Sequence, residues 1–403
     1  MTRMTHTALG VGCLAGGTPL AHAAEWSFAP QVSVWVDDDS NRYLNLPAIT
    51  SQSAYLNPSA VFQWSTETNR LSVTPWLMWQ QISDTAFANV HSESLSGEYD
   101  WSGERDQLTL QGGLSDYSTL ASDIPNTGLV APGVNRRSRQ GALTYTHDES
   151  ERFSLIAQFS WLDQGYYGPN SALYNLIAGY KYASVSVGEK YAFTQKTAVT
   201  VSAFDNQLIT PLSIGNSRES GLRVDYQHAF TERISLKAYA GASQRALEQL
   251  RPDATGIAPA LEPTSSVGAL GGFTLTWATE RGHLDLDYSN SLEPYSTGVL
   301  AQRQSLTLSA TQGLTETIDF ELSAARIQNN HGAVLLGIDR GFYDIATAGC
   351  NWHFAQSWHL HSEAGYTHTE TVTVGALQAP QPLSEWRVAL SLNWMPPATV
   401  HSF

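Results

Sequence analysis

A nine-residue stretch near the end of the chain constrains the fold more than any other feature. In Trp386–Trp394 the even positions are apolar or aromatic, and the odd positions are Arg387, Ala389, Ser391 and Asn393. Successive side chains of a β-strand point to opposite faces. A strand with an apolar face, a polar face and an aromatic residue at each end suits a lipid bilayer with two interfaces. The stretch therefore predicts a membrane-spanning strand.

The same alternation recurs along the chain. It is found at Leu108–Leu114, Phe153–Trp161, Leu222–Phe230, Leu284–Tyr288, Ile318–Ala324 and Trp358–Tyr366. Charged residues make up only 15% of the chain, and beyond the first two dozen residues there is no apolar run long enough for a membrane helix. The sequence predicts an all-β fold, a transmembrane antiparallel up-and-down β-barrel.

Turn signals give the strand count. Eight short polar turns lie near 66–70, 102–106, 147–151, 194–197, 231–233, 279–282, 315–317 and 355–357. Nine longer loops are predicted around 37–54, 84–91, 118–137, 164–172, 206–217, 245–266, 294–301, 329–341 and 371–384. Together they connect eighteen strands, with sixteen as the alternative. Outer-membrane barrels place short turns in the periplasm and long loops outside.

Three regions follow from this pattern. Residues 1–23 are typical of an export signal, with Arg3 ahead of a weakly apolar segment and Ala21-His-Ala23 as the cleavage site. Residues 24–395 are predicted to form the barrel in the bacterial outer membrane, and residues 396–403 a short tail. Cys350 shares parity with Trp352, so its thiol is predicted to face lipid.

Two positions conflict with the pattern. Glu189 has the outward parity of Val185 and Val187, which predicts a β-bulge near Gly188 that would turn the carboxylate inward. Pro75 has outward parity too, and it lacks the N–H that a ladder needs, so it is expected near a strand end or a bulge.

One segment of the sequence resembles a known family. Residues 112–130 form an acidic and hydroxyl-rich run that ends in Thr127-Gly-Leu-Val130, and Asn135-Arg-Arg-Ser-Arg139 follows it. With the Thr-Glu-Arg turns, this pattern resembles the outer-membrane β-barrel porin 2-like proteins of Gram-negative bacteria, over about residues 30 to 395. The resemblance implies an outer-membrane barrel, and some relatives belong to exopolysaccharide-export systems. It carries over no catalytic residue. The tail after Met395 departs from the usual barrel end, so either Phe403 or Trp394 is expected to be the assembly signal.

Inward parity predicts the residues that line a pore. The acidic ones are Asp225, Asp285, Asp287, Asp319, Glu321 and Glu363, the basic ones are Lys190, Arg223, Lys237 and Arg387, and His359 and His361 share the same face. The acidic excess predicts a weak preference for cations.

Arg136, Arg137 and Arg139 close the loop that precedes the strand from Gly141. Three interpretations stay open. They form the positive wall of a pore constriction, they bind phosphates of surface glycolipid at the extracellular rim, or they pair with Asp116 or Asp123.

Other chemistry is weakly represented. His353, His359, His361 and Glu363 allow a metal site, but a polar lumen wall explains them more simply. The chain has no nucleophile elbow and no Gly-rich phosphate loop, so neither catalysis nor a cofactor is predicted. The net charge of −15 argues against nucleic acid as a partner.

The predicted function is a porin-like channel for small hydrophilic solutes or oligosaccharides. Two alternatives remain: a barrel that serves exopolysaccharide export, and a non-conducting structural or adhesive barrel. The expected partners are outer-membrane lipid and lipopolysaccharide, the outer-membrane assembly machinery and, for export, polysaccharide export components.

The predicted topology can be tested by surface labelling. An epitope tag inserted at Asn126 should be accessible on intact cells, because that loop is long, and a tag at Arg233 should not. The opposite labelling pattern would contradict the orientation.

Overall fold

The structure, a computed structural model, describes residues 24–42, 44, 48–83, 89–119, 134–168, 179–210, 216–252, 259–294, 300–333, 338–373 and 382–402. The predicted signal segment 1–23, Asp123, Asn126 and Phe403 lie outside these residues. No helix in this part of the chain is long and apolar enough to cross a membrane.

The described residues form one antiparallel sheet. Its strands are β1 (Glu25–Asp39), β2 (Ser51–Ser65), β3 (Asn69–Ile82), β4 (Asn89–Ser102), β5 (Asp106–Ser118), β6 (Asn135–Asp148), β7 (Phe153–Tyr167), β8 (Tyr180–Thr194), β9 (Thr197–Ile209), β10 (Ser217–Ala229), β11 (Ile234–Pro252), β12 (Pro259–Ala278), β13 (Gly282–Pro294), β14 (Leu300–Gly313), β15 (Ile318–Ala333), β16 (Ile338–Ala355), β17 (Trp358–Thr373), β18 (Leu383–Trp394) and β19 (Thr399–Ser402).

The sheet closes on itself. Each strand from β1 to β18 pairs with its sequence neighbours, and β1 also pairs with β18 from Val32↔Trp394 to Asp39↔Arg387. The barrel therefore has eighteen strands, the upper of the two predicted counts. In the tail, β19 pairs with Glu25–Phe28 of β1, so it continues the barrel wall below β18.

The connections fall where the turn signals place them. Short turns separate β2 from β3, β4 from β5 and so on to β16 and β17, and the longer connections alternate with them. The end of the barrel that carries the short turns is called the short-turn end, and the other end is called the long-loop end. The predicted loop 245–266 is an exception, because β11 and β12 extend through most of it.

Apolar side chains cover the outside of the barrel. Trp386 is 63% exposed and Leu222 62% exposed, and their strand neighbours on the same face are apolar as well. Cys350 lies on this outer face opposite Phe320. An outer surface of this kind is stable only in lipid, so the chain is a membrane-spanning barrel of the bacterial outer-membrane type.

The prediction of a β-bulge near Gly188 is wrong. Pairing with β7 and β9 continues through Gly188 without a register shift, and Glu189 faces outward opposite Val201. The glycine serves a close approach instead, since a Cβ there would lie 2.7 Å from the Ser202 Cβ.

The ladder between β2 and β3 keeps its register but lacks pairs beside Pro58 and Pro75. Both prolines have outward parity, and neither has an N–H to donate. Pro75 therefore weakens this seam rather than ending a strand.

A second discontinuity lies between β12 and β13. Their pairing stops at Gly271↔Asn290, although β12 continues to pair with β11 as far as Pro259, and β13 pairs with β14 as far as Pro294↔Leu300. Residues Ser291–Pro294, with Leu300–Arg303 of β14, are called the arm below. The arm separates from β12 at the long-loop end.

Removing residues 396–403 tests whether the tail is essential. We expect the truncated protein to form a closed barrel, because β1 still pairs with β18, but to unfold at a lower temperature, because the β19 pairs are lost. The shift in electrophoretic mobility on heating measures both. Failure of the truncated chain to assemble at all would instead identify the tail as the assembly signal.

Candidate permeation pathway

The interior of the barrel is called the lumen. It is lined by the side chains of every second residue of each strand, which are mostly polar. Residues directly opposite one another in an antiparallel pair share a face, so exposed apolar partners identify the outward positions. By this criterion the predicted residues Arg136, Arg223, Asp225, Asp285, Asp287, Asp319, Glu321, His359, His361, Glu363 and Arg387 occupy inward positions.

For Arg137 the structure favours the third interpretation, pairing with Asp116, and the pore-wall interpretation is wrong for Arg137 and Arg139. Arg139 lies opposite Leu114, whose side chain is 52% exposed on the outer face, and Arg137 shares the parity of Arg139. Arg137 Nη2 lies 2.9 Å from Asp116 Oδ2, and its guanidinium stacks 4.9 Å from the Tyr167 ring. The physical reason is that β6 starts at Asn135, so the strand alternation already applies to these residues. Of these three arginines, only Arg136 faces the lumen.

One lumen wall, on β8–β13, carries a network of charged side chains. Arg223 Nε donates to Asp225 Oδ1 at 2.9 Å, and its guanidinium lies 4.1 Å from the ring centre of Tyr239. Asp287 accepts a hydrogen bond of 2.5 Å from Thr274. These residues border a cavity of about 740 Å³, which Lys190 and Lys237 also line.

The opposite wall holds a second network, centred on Arg42. Its Nε and Nη1 donate to Ser51 Oγ and Tyr55 Oη, each at 2.8 Å, and its Nη2 donates to Asp37. Burial lowers the pKa of Arg42, but Tyr55 and Asp37 raise it, and the net pKa is above its ordinary value. The guanidinium therefore stays charged inside the lumen. Sequence reasoning missed it, because a loop residue has no strand parity.

Beside this network, Arg387 forms an ion pair with Glu363. Further toward the short-turn end, His353 Nε2 lies 2.9 Å from Asp319 Oδ2, and His361 Nδ1 lies 2.7 Å from Asn351 Oδ1. Within the described residues, no group of three His, Cys, Asp or Glu side chains is arranged to hold a metal ion. The histidines lie in a hydrogen-bonded wall.

An apolar contact crosses the lumen at the long-loop end, although most inward positions of the strands are polar. Leu292 and Leu300 of the arm pack with Tyr180 and Leu208, and Leu162 and Tyr182 pack against the same group. These six residues are called the lumen apolar cluster below. Strands β9 and β13 are four strand steps apart, about 19 Å along the wall at the usual spacing. The arm must therefore cross the interior to reach β8 and β9.

Two cavities of the interior meet at the arm. Besides the cavity of about 740 Å³ there is one of about 600 Å³, and Tyr182 and Leu292 border both. The second cavity is lined by Tyr117, Tyr166, Tyr180, Gln140, Gln164, Asn329, Arg136, Glu293 and Arg303, among others. Within it Arg303 Nη1 lies 3.0 Å from Glu293 Oε2.

Comparison with known proteins gives a fold likeness only. No protein-family model and no curated protein matches the sequence. Among solved structures, OccAB2 of Acinetobacter baumannii is 12% identical with a TM-score of 0.47, covering 92% of this chain and 98% of that one. OprD of Pseudomonas aeruginosa is 10% identical, TM-score 0.45, covering 94% of each. The FrpB iron transporter of Neisseria meningitidis is 7% identical, TM-score 0.46, covering 91% and 82%.

Likenesses this distant add no argument about what the chain does. Membership of the porin 2-like family stays a prediction, since no family model matches.

The lumen charges predict the preference for ions. Arg137 and Arg139 on the outer face do not offset the inward carboxylates, and Arg42, the lumen cation that the sequence missed, is paired with Asp37. We expect a reversal potential shifted toward cations, more strongly at low salt, because screening extends over about 8 Å at physiological ionic strength. The double substitution of Asp285 and Asp287 by Asn should reduce the shift.

The matched control is the double substitution of Arg137 and Arg139 by Ser, which should leave the reversal potential unchanged because both side chains face outward. A change of selectivity in this control would contradict the assignment of faces.

Proposed function

We propose that the protein is a passive outer-membrane channel for small hydrophilic solutes. The observation that supports this best is the contrast of its two faces: an apolar exterior encloses a lumen lined by ion pairs, amides and hydroxyl groups. Charged groups such as Arg42, Arg223 and Asp287 would be costly in a dry core, whereas a water-filled interior solvates them. A barrel of eighteen strands is also wider than its side chains alone can fill.

Sugars are the solutes that we propose for the cavity of about 600 Å³. Tyr117, Tyr166 and Tyr182 offer aromatic faces for the apolar side of a sugar ring, and their hydroxyl groups can hydrogen-bond. Gln140, Gln164 and Asn329 supply amide donors and acceptors for sugar hydroxyls. A few fixed polar groups among aromatic side chains are typical of small-molecule sites.

A second candidate, a structural barrel that conducts nothing, is favoured by one observation. The lumen apolar cluster joins the arm to β8 and β9 across the interior, and Leu208 is fully buried in it. An apolar contact at this point excludes water from part of the cross-section.

Planar-bilayer recording distinguishes the two candidates. We expect reconstituted protein to conduct ions and expect maltose to block part of the current. Absence of conductance from protein that shows the mobility shift of a folded barrel would support the structural barrel instead.

The sugar proposal is tested by Tyr166→Ala, which removes one aromatic face from the cavity. We expect weaker block of the current by maltose with the ionic conductance retained. Tyr226→Ala is the matched control, because Tyr226 lies on the outer face, and its block should equal that of the unaltered protein. Equal block in all three proteins would exclude the tyrosine cavity as the sugar site.

A further inference from the structure

The arm leaves the barrel wall at Asn290, where contacts from β11 and β12 fix the backbone of β13. Tyr239 of β11 hydrogen-bonds to the backbone of Asn290, the last β13 residue paired with β12. Gly272 makes room for this contact, since a Cβ there would lie 2.6 Å from the Tyr239 ring and 2.4 Å from the Tyr288 carbonyl oxygen. The separation of β13 from β12 therefore starts at a defined position.

The sequence of the arm also fits a second position, in the wall. Continuing the register of Gly271↔Asn290 would place Leu292 opposite Ala269 and Glu293 opposite Gly268. Leu292 would then face outward, with the parity of Leu286, and Glu293 would face inward. The alternation that marks the lower part of β13 thus extends through the arm, although the arm lies in the lumen.

Arg245 provides independent evidence for the wall position. Its guanidinium lies over Gly268, so close that a Cβ on residue 268 would be 2.1 Å from Cζ. The side chain is only 10% exposed, its Nε lies 3.7 Å from Glu219 Oε1, and its Nη2 is buried with no hydrogen-bond partner in the described structure. A buried donor without an acceptor is costly.

Glu293 is the acceptor that the wall position would supply. Side chains opposite each other in an antiparallel pair have Cβ atoms about 5 Å apart, so a glutamate opposite Gly268 reaches the guanidinium above it. In the present structure Glu293 is paired with Arg303 of the arm instead. The same carboxylate therefore has one cationic partner in each position.

We propose that the arm alternates between these two positions and thereby gates the lumen. In the closed position Leu292 and Leu300 pack in the lumen apolar cluster, and Glu293 pairs with Arg303. In the open position the arm completes the ladder beside β12, Leu292 faces outward, and Glu293 pairs with Arg245. The proposal rests on the proposed channel function, whose regulation it describes.

A reversible cross-link tests the open position. In a Cys350→Ser background, Ala269→Cys and Leu292→Cys should form a disulfide under mild oxidation, because the open arm brings them opposite each other. We expect the cross-linked channel to show higher conductance than the same protein after reduction. The matched control is Leu275→Cys with Leu286→Cys, an outward pair that is already opposite in the closed position. It should cross-link without changing the conductance.

A second variant addresses the closed position without a cross-link. Leu208→Ala removes apolar contact from the cluster, and we expect it to raise the ratio of open to closed channels about tenfold, equivalent to about 1.4 kcal/mol. Leu222→Ala, on the outer face, should leave this ratio unchanged.

The outcomes separate the gate from the channel. A conducting protein in which the 269–292 pair does not cross-link while the control pair does, or in which cross-linking leaves the conductance unchanged, overturns the gate alone. Absence of conductance from every folded variant, cross-linked or not, overturns the channel and the gate with it.

Discussion

The backbone hydrogen bond is the interaction on which the whole structure depends. In lipid no water is available to replace a missing partner, so a sheet that spans the membrane must pair every strand on both sides. Pairing of β1 with both β2 and β18 meets this requirement. Once the ladder is closed, strand alternation fixes which side chains meet lipid and which meet the lumen, and the faces of Arg136 and Arg137 differ for that reason alone.

One long interruption of the ladder lies where the lipid requirement is relaxed. At the long-loop end, the arm gives up its pairs with β12, and its side chains find partners inside the lumen: leucines pack in the apolar cluster, and Glu293 pairs with Arg303. Inside a water-accessible barrel, an unpaired backbone edge can be solvated. The same departure facing lipid would be far more costly. This long interruption therefore lies at the end where long loops already interrupt the sheet, whereas the missing pairs beside Pro58 and Pro75 are short gaps in a ladder that keeps its register.

Much of this fold could be predicted from the sequence, because alternation and turn signals are local. The strand count and the turns follow from the turn signals, and the inward positions of Arg223, Asp287 and Glu363 follow from strand alternation. For Arg136, Arg137 and Arg139 the sequence left three roles open, because the predicted loop 118–137 includes the first residues of β6 and hides the strand alternation there. Arg42 and the lumen apolar cluster could not be predicted, for a different reason. Their contacts join segments far apart in sequence, and no local pattern indicates that a strand will leave the ladder.

The meeting of the first and last strands has a consequence for biogenesis. Glu25–Phe28 of β1 pair with β19, and Val32–Asp39 pair with β18, so one edge of β1 is completed only by residues beyond 383. In a chain that is synthesised from its N-terminus, that edge stays open until residues 387–402 have been made. An open edge invites pairing with other chains. The C-terminal strands therefore remove the last open edge of the sheet, and the barrel closes only once they have paired with β1.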